Sequence, residues 1–212
     1  MESQGAVDLE TVKEWLVEGV DNPERMEHVK FTVLEERREN GRLTAFKATS
    51  PRIPVSLYVA DLGEKPIPAL RVVVETGVAT VDLEPEAKLR AYRLLLLLSK
   101  LPLIKVFIHG SEHSIALAVD LDKRSLGRDE FNDAIAAIAI AYNLLVRELG
   151  LEEEAGAEAL KNLQELAAAQ LRRGKSRSEV EEMLVRAGIP RELADKIVES
   201  VYGPHGEEAF YT

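Results

Sequence analysis

Cysteine is absent from the 212 residues. Its absence excludes disulfides, thiolate nucleophiles, iron–sulfur clusters and the usual zinc fingers, so stability must come from packing alone. Long apolar runs are also missing: none approaches the roughly 20 residues that cross a bilayer. The first nine residues carry Glu2 and Asp8 where a secretory signal would carry Lys or Arg, so a cytoplasmic protein with no membrane partner is expected. Basic charge is in deficit. The formal net charge is −10, and residues 1–150 and 151–212 are both acidic. A chain without a long basic stripe has a poor electrostatic case for gripping a phosphate backbone, and its acidity serves solubility.

Catalytic templates are scarce as well. The chain has no Gly-rich loop ending in Lys-Ser or Lys-Thr, no Gly-x-Gly-x-x-Gly and no nucleophile elbow. One motif remains, His109-Gly110-Ser111-Glu112-His113, which fits the two-histidine pattern of inverzincin metalloproteases. That chemistry needs a helix, because only helical spacing sets residues i and i+4 on one face to share a zinc. The flanking residues read as an outgoing and a returning strand and Gly110-Ser111 is turn material, so the motif is expected on a hairpin tip. His28 and His205 have no evident catalytic partner in sequence. Asp120 and Asp122 read as the end of a strand, and Asp129, Glu130 and Asp133 as the favourably placed acids of a helix's first turn. No metal and no cofactor are expected, and no enzymatic activity.

The chain does contain 46% apolar residues, enough for a real core. Few Asn and Gln, 30% charged residues and more Arg than Lys resemble the bias of heat-adapted proteins. Asp8 is an N-cap candidate for a helix with Leu9, Val12, Leu16 and Val20 on one face and Trp15 beside it. Residues 28–36 and 42–48 read as a hairpin around Glu39-Asn40-Gly41, and residues 55–60 and 69–76 as two further strands. Short links make the pairing antiparallel.

Pro85 opens a helix over 86–100 that contains five consecutive leucines, 94–98, and a helix with leucine all round must be covered on more than one face. A hairpin over 103–109 and 114–121 follows, and then the longest helix, with Phe131, Ile135, Ile138, Tyr142, Leu145 and Leu149 at helical spacing. Its small-residue surface over 134–141 calls for a neighbouring helix or a partner subunit.

Two glycines enclosing three glutamates at 150–156 read as a domain boundary, although a continued helix could also pass through them. Three short helices are expected beyond it, over about 157–172, from the Ser176-x-x-Glu179 capping box to Gly188, and from Pro190 to Gly203, with residues 204–212 as a loosely held tail. The expected fold is α+β: an antiparallel sheet with flanking helices over 1–150, then a small all-α domain over 157–203.

The order helix, strands, helix, hairpin, long helix over residues 8–149 resembles the type III secretion chaperone-like fold, including the YbjN family. The likeness is carried by the strand ending at His109, the tight turn, residues 114–121, and a Ser/Gly connection into the helix with Phe131 and Ile135. The three C-terminal helices are similar to small ubiquitin-associated-like adaptors. The resemblance implies acidic dimers that clamp an extended client segment and catalyse nothing.

The function expected is therefore a non-enzymatic, chaperone- or adaptor-like protein-binding module, a homodimer, with Leu94, Leu97, Leu98, Ala134, Ala137 and Ala141 as the partner or dimer surface. The alternative is a nucleic-acid-binding regulator using the C-terminal helices and the basic patch Arg172, Arg173, Lys175 and Arg177. The acids Glu179, Glu181 and Glu182 that follow the patch make nucleic acid the poorer partner.

Overall fold

A computed structural model describes residues 6–22, 27–37, 41–50, 53, 55–64, 67–81 and 83–202. The expected turn at Glu39 and Asn40, the 204–212 tail and His205 lie outside the described residues. Helix α1 (Leu9–Glu18) begins at Asp8, whose carboxylate accepts from the Thr11 backbone N–H, and buries Leu9, Val12 and Leu16. Val20 does not continue that helix. It opens a short strand β1 (Val20–Asn22) that pairs antiparallel with β2 (Glu27–Val29), a ribbon too short to show as a periodic pattern.

The main sheet contains β3 (Thr32–Arg37), β4 (Leu43–Thr49), β5 (Ser56–Asp61), β6 (Ala69–Ala79), β7 (Lys105–His109) and β8 (Ser114–Asp122). Its order is β3-β4-β5-β6-β8-β7, antiparallel throughout. The first four strands form a meander. Helix α2 (Pro85–Leu98) then carries the chain across, and the β7–β8 hairpin inserts so that β8 meets β6 and β7 becomes an edge.

Alternation sends Leu70, Val72 and Val74 of β6 and Ile115, Leu117 and Val119 of β8 to one face. There they form the core with α1 and with α3 (Arg128–Leu149), and Trp15 meets Phe131 at 5.8 Å between ring centres. Helices α2 and α4 (Glu152–Arg172) both contact α3, and Ala134 and Ala141 of its small-residue surface are buried.

The three glutamates do not mark a linker. Gly150, in the left-handed conformation with φ 67°, ends α3, and after Leu151 the chain re-enters a helix at Glu152 rather than near 157. Glu152, Glu153 and Glu154 occupy the positive first turn of α4, where carboxylates are favoured, and Gly156 is carried inside the helix. α4 then crosses one end of the sheet's second face. Ser56 donates to Asn162 at 2.8 Å, Lys47 pairs with Glu165 at 2.5 Å, and Arg173 donates to the Val33 carbonyl at 2.9 Å. With α5 (Arg177–Arg186), whose Ser176–Glu179 capping box is formed, and α6 (Arg191–Tyr202), α4 builds a second core of Leu163, Ala167, Val180, Leu184, Ala194, Ile197 and Val198. The fold is α+β, with an antiparallel sheet followed by a helical C-terminal region.

Further along the second face, a self-paired charge cluster lies beside Phe107, Ala116 and Ala118. Arg71 grips Asp120 through two bonds of 2.6 and 2.7 Å, Lys105 adds a third at 2.6 Å, and the Arg71 guanidinium stacks 4.9 Å from the Phe107 ring centre. The Arg71 hydrogen bonds, helped by Lys105 and opposed by partial burial, hold the Asp120 carboxyl below its ordinary range. A lowered native pKa means that the contribution of Asp120 is complete above the unfolded value, near pH 4, and fades as pH falls below it. Asp120→Asn is therefore expected to destabilise the protein by about 1–3 kcal/mol at pH 7 and to flatten the acid limb of stability below about pH 4, measured by urea denaturation across pH.

Candidate functional site

The His109–His113 motif sits on the β7–β8 turn. His113 has φ 53°, Gly110 φ 69°, and His109 Nε2 lies 3.0 Å from the Glu75 carboxylate across the sheet. The two rings therefore do not share a helical face. Among the described residues no group of three or more His, Asp or Glu side chains is placed to hold a metal ion. Two polar clefts of about 220 and 250 Å³ meet at Arg42, Leu43 and Asp61. Their charged walls are already engaged: Arg37 bonds Glu10 and Glu35, and the buried Lys123 ammonium bonds Asp61 at 2.9 Å and Glu64 at 3.0 Å. No described helix is long and apolar enough to cross a membrane.

The expected partner surface divides in two. Leu98, Ala134 and Ala141 are buried in the chain's own core, and Leu94 and Ala137 are half-buried against it, so these five are packing residues. The leucine run of α2 is nevertheless not covered on more than one face. Leu95 and Leu98 point inward, whereas Leu96 is 69% and Leu97 58% exposed. Leu89, one heptad before Leu96 and so on the same side of the helix, is 51% exposed.

Charge sharpens this face. Segment 85–100 carries Lys88, Arg90, Arg93 and Lys100 against the single carboxylate Glu86, inside a chain of net charge −10. Among the described residues Lys88 reaches only the Val81 carbonyl, at 3.4 Å, and Arg90, Arg93 and Lys100 make no ion pair. Three leucines more than half exposed beside unneutralised cations set α2 apart; α6 carries only Leu193, 38% exposed, beside Arg191 and Lys196. Reading the leucine run as a block hid this, because the run merges inward and outward positions; the seven-residue step from Leu89 to Leu96 was the available signal.

The basic patch disperses. Arg173 is tied to the β3 backbone, and Arg177 pairs with Glu181 at 2.8 Å and Asp195 at 2.6 Å, which leaves Arg172 and Lys175 in solvent. Two exposed cations next to an acidic helix start do not form a phosphate-tracking stripe.

No curated protein matches the chain. One family does match, and its match ends at residue 149, where α3 ends, so it takes in the main sheet and α2 and leaves α4–α6 outside. With residues 11–149 of its 212 matched, the chain belongs to the family described as Domain of unknown function (DUF8183).

Proposed function

We propose that the chain is a non-enzymatic, chaperone- or adaptor-like protein-binding module, a homodimer, that docks an acidic, apolar segment of a partner protein on the outer face of α2. The observation that carries this reading is the trio Leu89, Leu96 and Leu97, exposed among Arg90, Arg93 and Lys100 in an otherwise acidic molecule. Covering a leucine yields roughly 1.5–3 kcal/mol, so three leucines supply at most about 4.5–9 kcal/mol before association costs, and a stable contact also draws on the cations and surface around them. The arginines add selectivity: a carboxylate-bearing segment is attracted, and a basic one is repelled by the same groups that favour the first.

The inward and outward leucines should part sharply under substitution. Leu97→Lys is expected to change unfolding free energy by no more than about 0.5 kcal/mol, whereas Leu95→Ala in the same run costs about 2–5 kcal/mol, both read from chemical denaturation. For the binding role, a photo-crosslinking amino acid at Leu97 in the native cell should trap a discrete protein species. The double change Leu89→Asp and Leu96→Asp should remove that species while leaving the circular dichroism spectrum intact; equal trapping by the double variant would refute the docking face.

A further inference from the structure

The sheet has two edges, and they are treated differently. At β3, Arg173 donates to the Val33 carbonyl, the Phe31 N–H is taken by the Leu16 carbonyl, and Glu35 and Arg37 are locked to Lys13 and Glu10 of α1. That edge is capped by side chains and a helix. No described group bonds the outer side of β7.

The main-chain groups facing outward from β7 can be assigned by alternation. Lys123 N–H donates to the Pro68 carbonyl, and the Ile115 carbonyl accepts from the Thr76 hydroxyl, so odd-numbered residues of β8 address β6. Even-numbered residues therefore address β7, through the pairs Ser114–His109, Ala116–Phe107 and Ala118–Lys105. Val106 and Ile108 are left with both N–H and C=O turned to the open edge.

We propose that β7 pairs antiparallel with β7 of a second copy of this chain about a two-fold axis at Phe107, making one twelve-stranded sheet. Val106 of each copy then sits opposite Ile108 of the other in two hydrogen-bonded pairs, four main-chain bonds in all, and Ile108, 46% exposed in the single chain, is covered by an aliphatic neighbour. The two Phe107 rings meet in the closer, non-hydrogen-bonded pair. Each Lys105 sits opposite His109 of the partner strand, so the two Lys105 ammonium groups, each beside its own Asp120, stay apart. Lys105 does not guard the edge, because its ammonium is turned inward to Asp120 at 2.6 Å.

The pairing deepens the homodimer part of the proposed function by naming its surface, and it is independent of the α2 face. A strand pair covers less area than a standard interface of about 1,600 Å², so a dissociation constant on the order of 10 μM is expected. Light scattering of the full chain from about 1 to 300 μM should show the mass rising from monomer to dimer. Ile108→Pro removes an outward N–H that β8 does not use, so it should leave the folded circular dichroism spectrum unchanged and weaken dimerisation at least tenfold. Ile108→Lys, which keeps the backbone intact, should do the same and serves if the proline variant fails to fold.

A monomer at every concentration, or a dimer that both folded variants hold within threefold of the parent affinity, overturns the strand pairing. The former would leave the edge to a strand of another protein. Either outcome leaves the α2 crosslink standing, and loss of that crosslink leaves the strand pairing standing.

Discussion

The pairing of β6 with β8 is the constraint on which the rest of the structure depends. It joins residues 69–79 to 114–122 across the α2 crossover, so the meander and the later hairpin become one sheet only when it forms. Both strands direct largely aliphatic rows to the face that α1 and α3 cover, and burial of those rows is the main return on closing so long a loop. Once β8 occupies that place, β7 can only be an edge and α2 must lie outside the meander. The same pairing sets the register that brings Arg71 opposite Asp120.

Electrostatics is arranged around that sheet. The chain is acidic, yet most of its described cations near the sheet are held by internal carboxylates: Arg71 and Lys105 by Asp120, Lys123 by Asp61, Lys47 by Glu165. The more exposed of these pairs add little stability one by one, but all of them remove charge from the surface available to partners. α2 escapes this pairing because it faces away from the sheet. Its cations and outer leucines remain available for the same geometric reason.

Elements with local signals were legible in advance. Asp8 capping α1, Pro85 opening α2, the Ser176–Glu179 box opening α5 and the strand–turn–strand around Gly110 all lie where their residues direct, because caps and turns are settled within a few residues. The three-glutamate segment admitted two readings, since like charges that suit a boundary are also good first-turn residues, and α4 takes them up from Glu152. The candidate surface was half legible. Composition marked the leucine run, but which leucines face out depends on the helix's rotation against the core, and that is set by Leu95, Leu98 and Ala91 finding their partners.

By itself, then, the sequence determined the absence of thiol chemistry, the acidic balance, the kinds and order of the main elements and the turn position of the histidine motif. Each of these is a property of composition or of short-range backbone preference. Only the tertiary structure decided that α4 belongs against the sheet, that Ala134 and Ala141 are core, that Arg173 and Arg177 are engaged, and that α2 shows Leu89, Leu96 and Leu97 to solvent. Those outcomes turn on contacts between residues far apart in the chain, such as Asn162 with Ser56 and Arg173 with Val33. No local periodicity encodes them, because either partner would look the same without the other.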